Sequence, residues 1–287
     1  MNMTDPSVRH DIVLLFDIHD GNPNGDPDAG NRPRVDPETG HGLVTDVSLK
    51  RKVRDTIPLA AGGEGGYDIF VTAGVPLNSV LEKSYQQANL KLGKETKNAD
   101  AAREWLCRTY VDIRLFGAVL SMKDTPALGQ IRGPVQVSFA RSVDPVAPAE
   151  HAITRLTHTT VADAEKGGGT MGNKWTIPYG LYTAVIGYSA SRGKQTGVSE
   201  RDLELLYKTL ASMFDHTSSA ARANMATRGL FVFTHHDAFG AAPMHQLVDR
   251  VKVSRHPDVE LARSVQDYDI SVDVDELPSG VTYDQVM

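Results

Sequence analysis

One stretch near the N-terminus constrains the fold of this chain most, because it combines a strand, a tight loop and a cationic helix. Residues 11–18, Asp-Ile-Val-Leu-Leu-Phe-Asp-Ile, form an apolar run rich in branched side chains, which predicts a buried strand. The next segment, Asp20-Gly-Asn-Pro-Asn-Gly-Asp-Pro-Asp28, contains Gly, Pro and Asn at positions that exclude a helix or a continuing strand. A helix capped by Thr45 or Asp46 is then predicted over residues 45–55. Its expected buried stripe comprises Leu49, Val53 and Ile57.

The predicted helix carries four cations within the five residues 50–54. Lys50 and Arg54 are one helical turn apart, on a face next to the buried stripe. Arg32 and Arg34 lie on the extended segment between the loop and the helix. A tight polar loop beside such a helix can seat a phosphodiester backbone.

Composition excludes several classes of protein. A chain of 287 residues with 40% apolar content can form one large domain or two small ones. No apolar run approaches the roughly 20 residues of a membrane span, and the first residues lack the pattern of a secretory signal. The single cysteine, Cys107, excludes an intramolecular disulfide and favours the cytoplasm. The net charge of −6 argues against indiscriminate nucleic-acid binding, although cations can still cluster in a local groove.

The rest of the chain predicts an α+β protein. Helices are expected over residues 77–92 and 99–110, and Ser199-Glu-Arg-Asp202 resembles a capping box that opens a long helix. Residues 116–133 form a Gly- and Pro-rich arm that predicts a hairpin, and Gly167-Gly-Gly169 predicts a loop. The tail from Leu277 is expected to fray. The remaining strands are predicted at residues 67–72, 181–188, 230–235, 248–253 and 268–273. This order fits a split β-α-β, ferredoxin-like core with large insertions.

Two patterns raise the alternative of a metal site. Residues 20–28 match the opening of a calcium loop, but the twelfth position is Asn31 rather than the bidentate Glu, and prolines break the helical context. His235-His236-Asp237 could supply ligands, although adjacent side chains at a strand end diverge. The sequence has no Walker loop, His-Glu-x-x-His, paired cysteines or Gly-x-Ser-x-Gly. We therefore predict no cofactor and no metal.

Several segments together carry a resemblance to a known family. They are Asn22-Pro-Asn-Gly-Asp-Pro27, Ser48-Leu-Lys-Arg-Lys-Val-Arg54, Arg114-Leu-Phe-Gly117, Gly129-Gln-Ile-Arg-Gly-Pro-Val135, Met171-Gly-Asn-Lys-Trp175 and Met225-Ala-Thr-Arg-Gly-Leu-Phe231. In this order and spacing, from about residue 10 to about residue 275, they resemble the backbone subunit of type I CRISPR Cascade complexes. The type I-C form, in the RAMP superfamily, is the best match.

The resemblance implies a single RRM-like (ferredoxin-like) palm domain over residues 1–287 with three insertions. These are a helical insertion at about 67–112, a protruding thumb hairpin at about 117–133 and an inserted loop or hairpin at about 145–180. The sequence departs from a typical RRM because it has no aromatic-rich strand of the RNP type. We therefore expect RNA to contact the loop and helix through its backbone rather than to stack on the sheet.

The resemblance also implies a function. The chain would be a non-catalytic subunit that polymerises head to tail along CRISPR RNA and presents the guide to target DNA in antiviral defence. Its other partners would be the repeat-processing cap subunit, the large PAM-reading subunit and the small subunits, with no membrane. The predicted RNA-binding residues are Asn24, Arg32, Lys50, Arg51, Arg54, Val119, Leu120, Lys123, Gln130, Arg132, Met171 and Lys174. The alternatives are a metal-dependent endoribonuclease on the same fold, acting through Asp20 or Asp26, and a protein-only scaffold.

Overall fold

The protein is a mixed α+β structure built on a large antiparallel sheet, as seen in a computed structural model that describes residues 1–87, 99–120, 128–155, 157 and 170–287. The helices in these ranges are α1 (Asp46–Ala61), α2 (Leu77–Gln87), α3 (Ala99–Thr109), α4 (Val111–Phe116), α5 (Ala190–Thr196), α6 (Glu200–His216) and α7 (Met244–Val248). The strands are β1 (His10–Gly21), β2 (Gly25–Asp26), β3 (Arg32–Pro33), β4 (His41–Val44), β5 (Gly117–Val119), β6 (Gln130–Arg132), β7 (Val135–Val137), β8 (Ala140–Pro145), β9 (Ala149–Arg155), β10 (Thr170–Tyr188), β11 (Met225–His235), β12 (Val251–Arg255), β13 (Tyr268–Val272) and β14 (Val281–Gln285). No helix in these ranges is long and apolar enough to cross a membrane.

Strand β1 is the centre of the main sheet, as its apolar run predicts. It pairs antiparallel with β10 on one side and with β11 on the other, in the order β14-β11-β1-β10-β8-β4. Alternate side chains of a strand point to opposite faces, so β1 contributes to two cores. One face carries Ile12, Leu14, Phe16 and Ile18, which are all fully buried against the helices.

Helices α1 and α6 pack side by side on that face. The predicted stripe of α1 is confirmed, since Leu49, Val53 and Ile57 are all buried. The predicted capping box is also confirmed: the Ser199 hydroxyl accepts from the Asp202 backbone N–H, and the Asp202 carboxylate accepts from the Ser199 backbone N–H.

The opposite face of the sheet is covered by the C-terminal hairpin β12–β13. Val13, Leu15 and Phe231 on the sheet pack against apolar side chains of this hairpin, such as Val253 and Ile270. Apolar burial of this kind excludes water from the central strands and leaves no open surface there on which RNA bases could stack.

Helices α2, α3 and α4 and the base of hairpin β5–β6 enclose a second core. The strand predicted at residues 67–72 is wrong: this segment is irregular, with one isolated bridge between Asp68 and Tyr110. The cause is a buried carboxylate. Asp112 accepts from the backbone N–H groups of Phe70 and Val71 at 2.8 and 3.1 Å, which replaces the pairing that a strand would need.

Two other sequence expectations are also wrong. The tail does not fray from Leu277, because β14 pairs along the edge of β11 and buries Val281. Helix α1 does not end at residue 55, because it continues through Pro58 to Ala61 and ends at Gly62 in a left-handed conformation. Proline in the last turn is tolerated here because packing of Ile57 and Ala61 in the core holds the turn together.

Candidate nucleic-acid interface

The loop after β1 is fastened to the start of helix α1. The Asn24 side-chain oxygen accepts from the backbone N–H of Thr45 at 2.9 Å, and the Thr45 hydroxyl caps the helix by accepting from the Ser48 N–H. Asp26 forms an ion pair with Arg34 at 2.9 Å within the same loop. These bonds fix the loop and the first turn of the helix relative to each other, so the predicted juxtaposition exists.

The two cations on which the sequence argument depends most, Lys50 and Arg54, are already neutralised inside the protein. Lys50 Nζ lies 2.9 Å from Asp46, and Arg54 Nε lies 2.9 Å from the buried Asp112. Both cations also lie over the ring of Phe116, at 5.8 and 5.4 Å from its centroid, and their side chains are only 17% and 13% exposed. Arg54 therefore connects helix α1 to helix α4, and little of either charge faces solvent.

Arg51 is the more accessible cation of the helix. It forms an i,i+4 ion pair with Asp55 at 2.7 Å, but both side chains are about two-fifths exposed, at 41% and 40%. Exposed pairs of this kind are weak and can exchange partners with a phosphate. Among the three predicted helix cations, Arg51 therefore loses the weakest internal ion pair when its side chain turns toward RNA.

A groove of about 530 Å³ opens at the start of α1 and contains cations that the sequence argument overlooked. Its walls include Asn24, Ser48, Arg51, Lys52, Thr217 and Arg222. Lys52 is 6% exposed, and its Nζ donates to the Thr217 hydroxyl at 3.2 Å. Burial, and then the charge of Arg222, lower the pKa of Lys52 to about 8. A lysine three residues after Leu49 and four before Thr56 falls on the buried side of the helix, which is the signal that could have identified it.

Hairpin β9–β10 carries a second group of predicted contacts. Arg32 lies 5.3 Å from the ring centroid of Trp175, next to the half-buried Lys174 in β10. Met171 is 75% exposed near the start of the same strand. Lys174 and Arg32 have no carboxylate partner among the described residues, so their charge is available to an external anion.

The described part of the predicted thumb is the strand pair β5–β6, with the adjoining residues up to Leu120 and from Leu128. Val119 and Gln130 face each other across it and are exposed, as is Arg132 opposite Gly117. Leu120 is fully buried in the second core, which helices α2, α3 and α4 enclose, so its side chain is not accessible to RNA. Lys123 lies outside the described residues, as do the triple glycine and most of the loop before β10.

A pocket of about 570 Å³ adjoins the base of this hairpin. Arg132 and Arg192 contribute its two charges, and Gln130 and Gln136 contribute amides. No acidic residue is among its described lining residues, and neither arginine has a carboxylate within ion-pair distance in the described chain. The pocket therefore attracts anions, whereas most other arginines of the described chain are paired with Asp or Glu.

In the two candidate metal sites, several side chains of the predicted ligands contact other protein groups. His235 is fully buried, with Nε2 3.1 Å from Asp11 and Nδ1 accepting from the Ala241 N–H. His236 Nε2 lies 3.2 Å from the carboxylate of the exposed Asp237. In the calcium-like loop, Asp26 is engaged by Arg34. Over the described ranges, no three His, Cys, Asp or Glu side chains converge as metal ligands.

Comparison with known proteins places the chain in a family. A family model described as CRISPR-associated protein Cas7 matches residues 8–273. A curated relative, CRISPR-associated protein Cas7 of Haloferax volcanii, is 25% identical over 214 residues, which are 69% of this chain and 62% of the relative. The chain thus spans less than two thirds of that relative's length.

Three solved structures that match part of the chain are chains of CRISPR complexes. A chain of a "CRISPR RNA-guided surveillance complex, pre-nicking" has a TM-score of 0.49 and 16% identity, with 78% of both chains covered. A chain of another CRISPR RNA-guided surveillance complex has a TM-score of 0.47 and 16% identity over 78% of this chain and 68% of the other. A chain of the type III-B Cmr-beta complex bound to cognate target RNA has a TM-score of 0.45 and 13% identity over 78% and 61%. Because the family model matches residues 8–273, which are nearly the whole chain, the chain belongs to the Cas7 family of CRISPR-associated proteins.

Proposed function

We propose that this protein is the RNA-binding backbone subunit of a type I-C Cascade surveillance complex. Several copies polymerise head to tail along one CRISPR RNA, and RNA length sets their number. One observation of the structure supports this most: four cations without an ion-pair partner in the described chain line two cavities, with Lys52 and Arg222 in the groove at the start of α1 and Arg132 and Arg192 in the pocket at the base of β5–β6. In a chain with a net charge of −6, such segregation directs a polyanion to particular surfaces.

The mechanism is positional. Cations and hydrogen-bond donors hold phosphates and do not read sequence, while the bases remain available to pair with target DNA. The covered sheet face supports this division, because bases cannot stack on β1 and β11 beneath hairpin β12–β13. The guide sequence then determines which target is bound, and the protein holds the RNA in a conformation that can pair.

The proposed RNA contacts are the accessible members of the predicted set. They are Asn24, Arg32, Arg51, Val119, Gln130, Arg132, Met171 and Lys174, together with the predicted Lys123. Lys50, Arg54 and Leu120 have a supporting role in this proposal: they hold helix α1 and the hairpin base in place. The ion pair of Arg54 with Asp112 and the full burial of Leu120 support that division.

The proposal includes an RRM-like palm. Strands β11, β1, β10 and β8 stand in that order, all neighbours are antiparallel, and α1 and α6 lie together on one face. This is the order of a split β-α-β core, with α1 after β1 and α6 between β10 and β11. The segments at about 67–112, 117–133 and 145–180 are then insertions, and the second is the thumb that reaches the next copy.

The remaining partners belong to the same proposal. They are the repeat-processing cap subunit, the large PAM-reading subunit and the small subunits of Cascade, in the cytoplasm. The protein itself is proposed to be non-catalytic, since cleavage would be delegated to a separate nuclease.

A metal-dependent endoribonuclease is the competing function, and one residue gives it a basis. Asp20 is exposed, has a backbone φ of 45°, and its carboxylate has no partner in the described chain. A strained, unpartnered carboxylate at a strand end is a possible catalytic group. RNA cleavage that a chelator stops and that Asp20→Asn abolishes would establish this alternative. RNA that stays intact in the presence of Mg²⁺ or Mn²⁺ would exclude it.

Sequence-independent binding tests the proposed function directly. End-labelled single-stranded RNAs of unrelated sequence should bind the full chain with equal affinity, and Arg132→Gln should weaken all of them equally. Loss of one phosphate contact lowers the salt dependence of single-strand binding by about 0.7 in the log–log slope. Lys252→Gln is the matched control, because Lys252 is an exposed cation on β12, away from both sites. Weakening confined to certain sequences would contradict the positional mechanism.

A further inference from the structure

We infer that Lys52 and Arg222 together bind one phosphate of the RNA strand on the inner wall of the groove at the start of α1. This inference rests on the proposed RNA-binding function and names two residues that are not among the predicted RNA-binding residues. Both would contact the same phosphate, so the site is a discrete one rather than part of a diffuse basic surface.

Lys52 is a buried cation without a counter-ion. Its ammonium lies 5.4 Å from the centroid of Phe214 and donates to the Thr217 hydroxyl, which in turn donates to the Met213 carbonyl at 2.7 Å. An ammonium has three donors, and Thr217 accepts only one of them. The charge is therefore held in a low-dielectric setting with two donors still open toward the groove.

Arg222 brings a second positive charge to the same place. Its Nε is buried and has no hydrogen-bond partner in the described chain. The loop that carries it is fixed, because Arg222 N–H donates to Ser219 at 2.8 Å and the neighbouring Ala221 carbonyl accepts from Asn22 N–H at 2.8 Å. The backbone at Arg222 is therefore held next to the loop after β1.

Both carboxylates that line the groove are engaged by other cations. Arg51 pairs with Asp55 at 2.7 Å, and Lys50 pairs with Asp46 at 2.9 Å. Asp55 still attracts the charge of Lys52, but this attraction is smaller than the effects of burial and of Arg222. Two adjacent cations with unused donors repel each other unless an anion bridges them. A phosphodiester supplies that charge, and its oxygens can accept from the ammonium and the guanidinium at once.

The groove also suits a strand rather than a free ion. It is open to solvent, and its rim carries Asn24, Ser48 and Arg51, which can contact the sugar and the flanking phosphates. Exposed Val47 and Phe139, at 66% and 55%, border the same opening. Nucleic-acid bases commonly stack on an aromatic ring that lies next to a phosphate-binding site.

Substitution of the pair tests the inference with the full chain and an end-labelled single-stranded RNA. Lys52→Met and Arg222→Gln are each expected to lower affinity about tenfold at about 0.1 M salt, because each removes a charge-assisted hydrogen bond. The double variant should reduce the log–log salt slope by no more than about 0.7, the value for a single phosphate. Arg222→Lys should retain most of the affinity. Lys208→Gln removes an exposed, unpaired cation of α6 and is the matched control, with no change expected.

The outcomes separate this inference from the proposed function. A double variant that is folded by circular dichroism and binds RNA like the wild type, with the same salt slope, would overturn the phosphate site and leave the RNA-binding function intact. A wild-type chain that binds no RNA would overturn both. Equal losses in the double variant and in Lys208→Gln would show diffuse attraction and would also overturn the site.

Discussion

Lys52→Met should make the protein more stable near neutral pH, although it removes a charge and a hydrogen bond. Burial and Arg222 lower the pKa of Lys52 from 10.5 to about 8, so the charged lysine is held in the fold unfavourably. The difference between these pKa values, at about 1.4 kcal/mol for each pH unit, corresponds to about 3 kcal/mol. The variant gives up the bond to Thr217 and the contact with Phe214, which are worth about 1 kcal/mol each. We therefore expect the free energy of unfolding to rise by about 1 kcal/mol.

The pH dependence of this gain identifies its cause. Between pH 8 and 10.5 the unfolded chain binds more protons at Lys52 than the folded chain does. The stability of the wild type therefore rises with pH across this window, relative to the variant. The advantage of Lys52→Met should be largest below about pH 8 and should vanish, or change sign, above about pH 10.

Urea unfolding followed by circular dichroism measures this difference at several pH values. Lys208→Met is the control, since this lysine is exposed on α6 and its substitution should change stability little at any pH. The reasoning is refuted if Lys52→Met destabilises the protein near neutral pH, or if its effect is the same at every pH.

Three further predictions concern residues whose roles the structure separates. Arg54→Ala should destabilise the protein by about 3 kcal/mol in thermal or urea unfolding, because it leaves the buried Asp112 without its cation; an unchanged transition would contradict the structural role. Leu120→Ala should lower the free energy of unfolding by about 3 kcal/mol through the cavity it creates, whereas the salt dependence of RNA binding by this variant should match that of the wild type. Cys107 should resist iodoacetamide at neutral pH, because burial raises the pKa of its thiol to about 11; rapid labelling of the folded protein by mass spectrometry would argue against this.

Local patterns predicted the parts of the fold that depend on local physics. The apolar run of β1, the stripe of α1 and the capping box of Ser199 and Asp202 all follow from spacing of a few residues, and the structure confirms them. β14 was missed because its pairing depends on the edge of β11, which lies far away in the chain. The segment at 67–72 has the composition of a strand, but the carboxylate of Asp112 takes its N–H groups.

The sequence predicted the juxtaposition of loop and helix but not the pairing of the charges. Clustered cations after a tight loop pointed to α1, yet sequence spacing does not show which cations have partners. Arg54 meets Asp112 across 58 positions, and this contact is the reason that we propose a supporting role for Arg54 instead of the predicted RNA contact. Lys52 looked like one more surface cation, although its position among Leu49, Val53 and Thr56 places it in the interior. Cations with no internal partner are the better guide to an anion site, and only the fold identifies them.

Purification from cells that carry the CRISPR array and the partner subunits would show whether the protein assembles along CRISPR RNA. Size-exclusion chromatography would report the size of the particle, and the absorbance ratio and RNA sequencing would report its RNA content. We expect a large particle that contains a discrete repeat–spacer RNA and falls apart on treatment with ribonuclease. An RNA-free monomer, or a particle that survives ribonuclease unchanged, would contradict an RNA-organised filament.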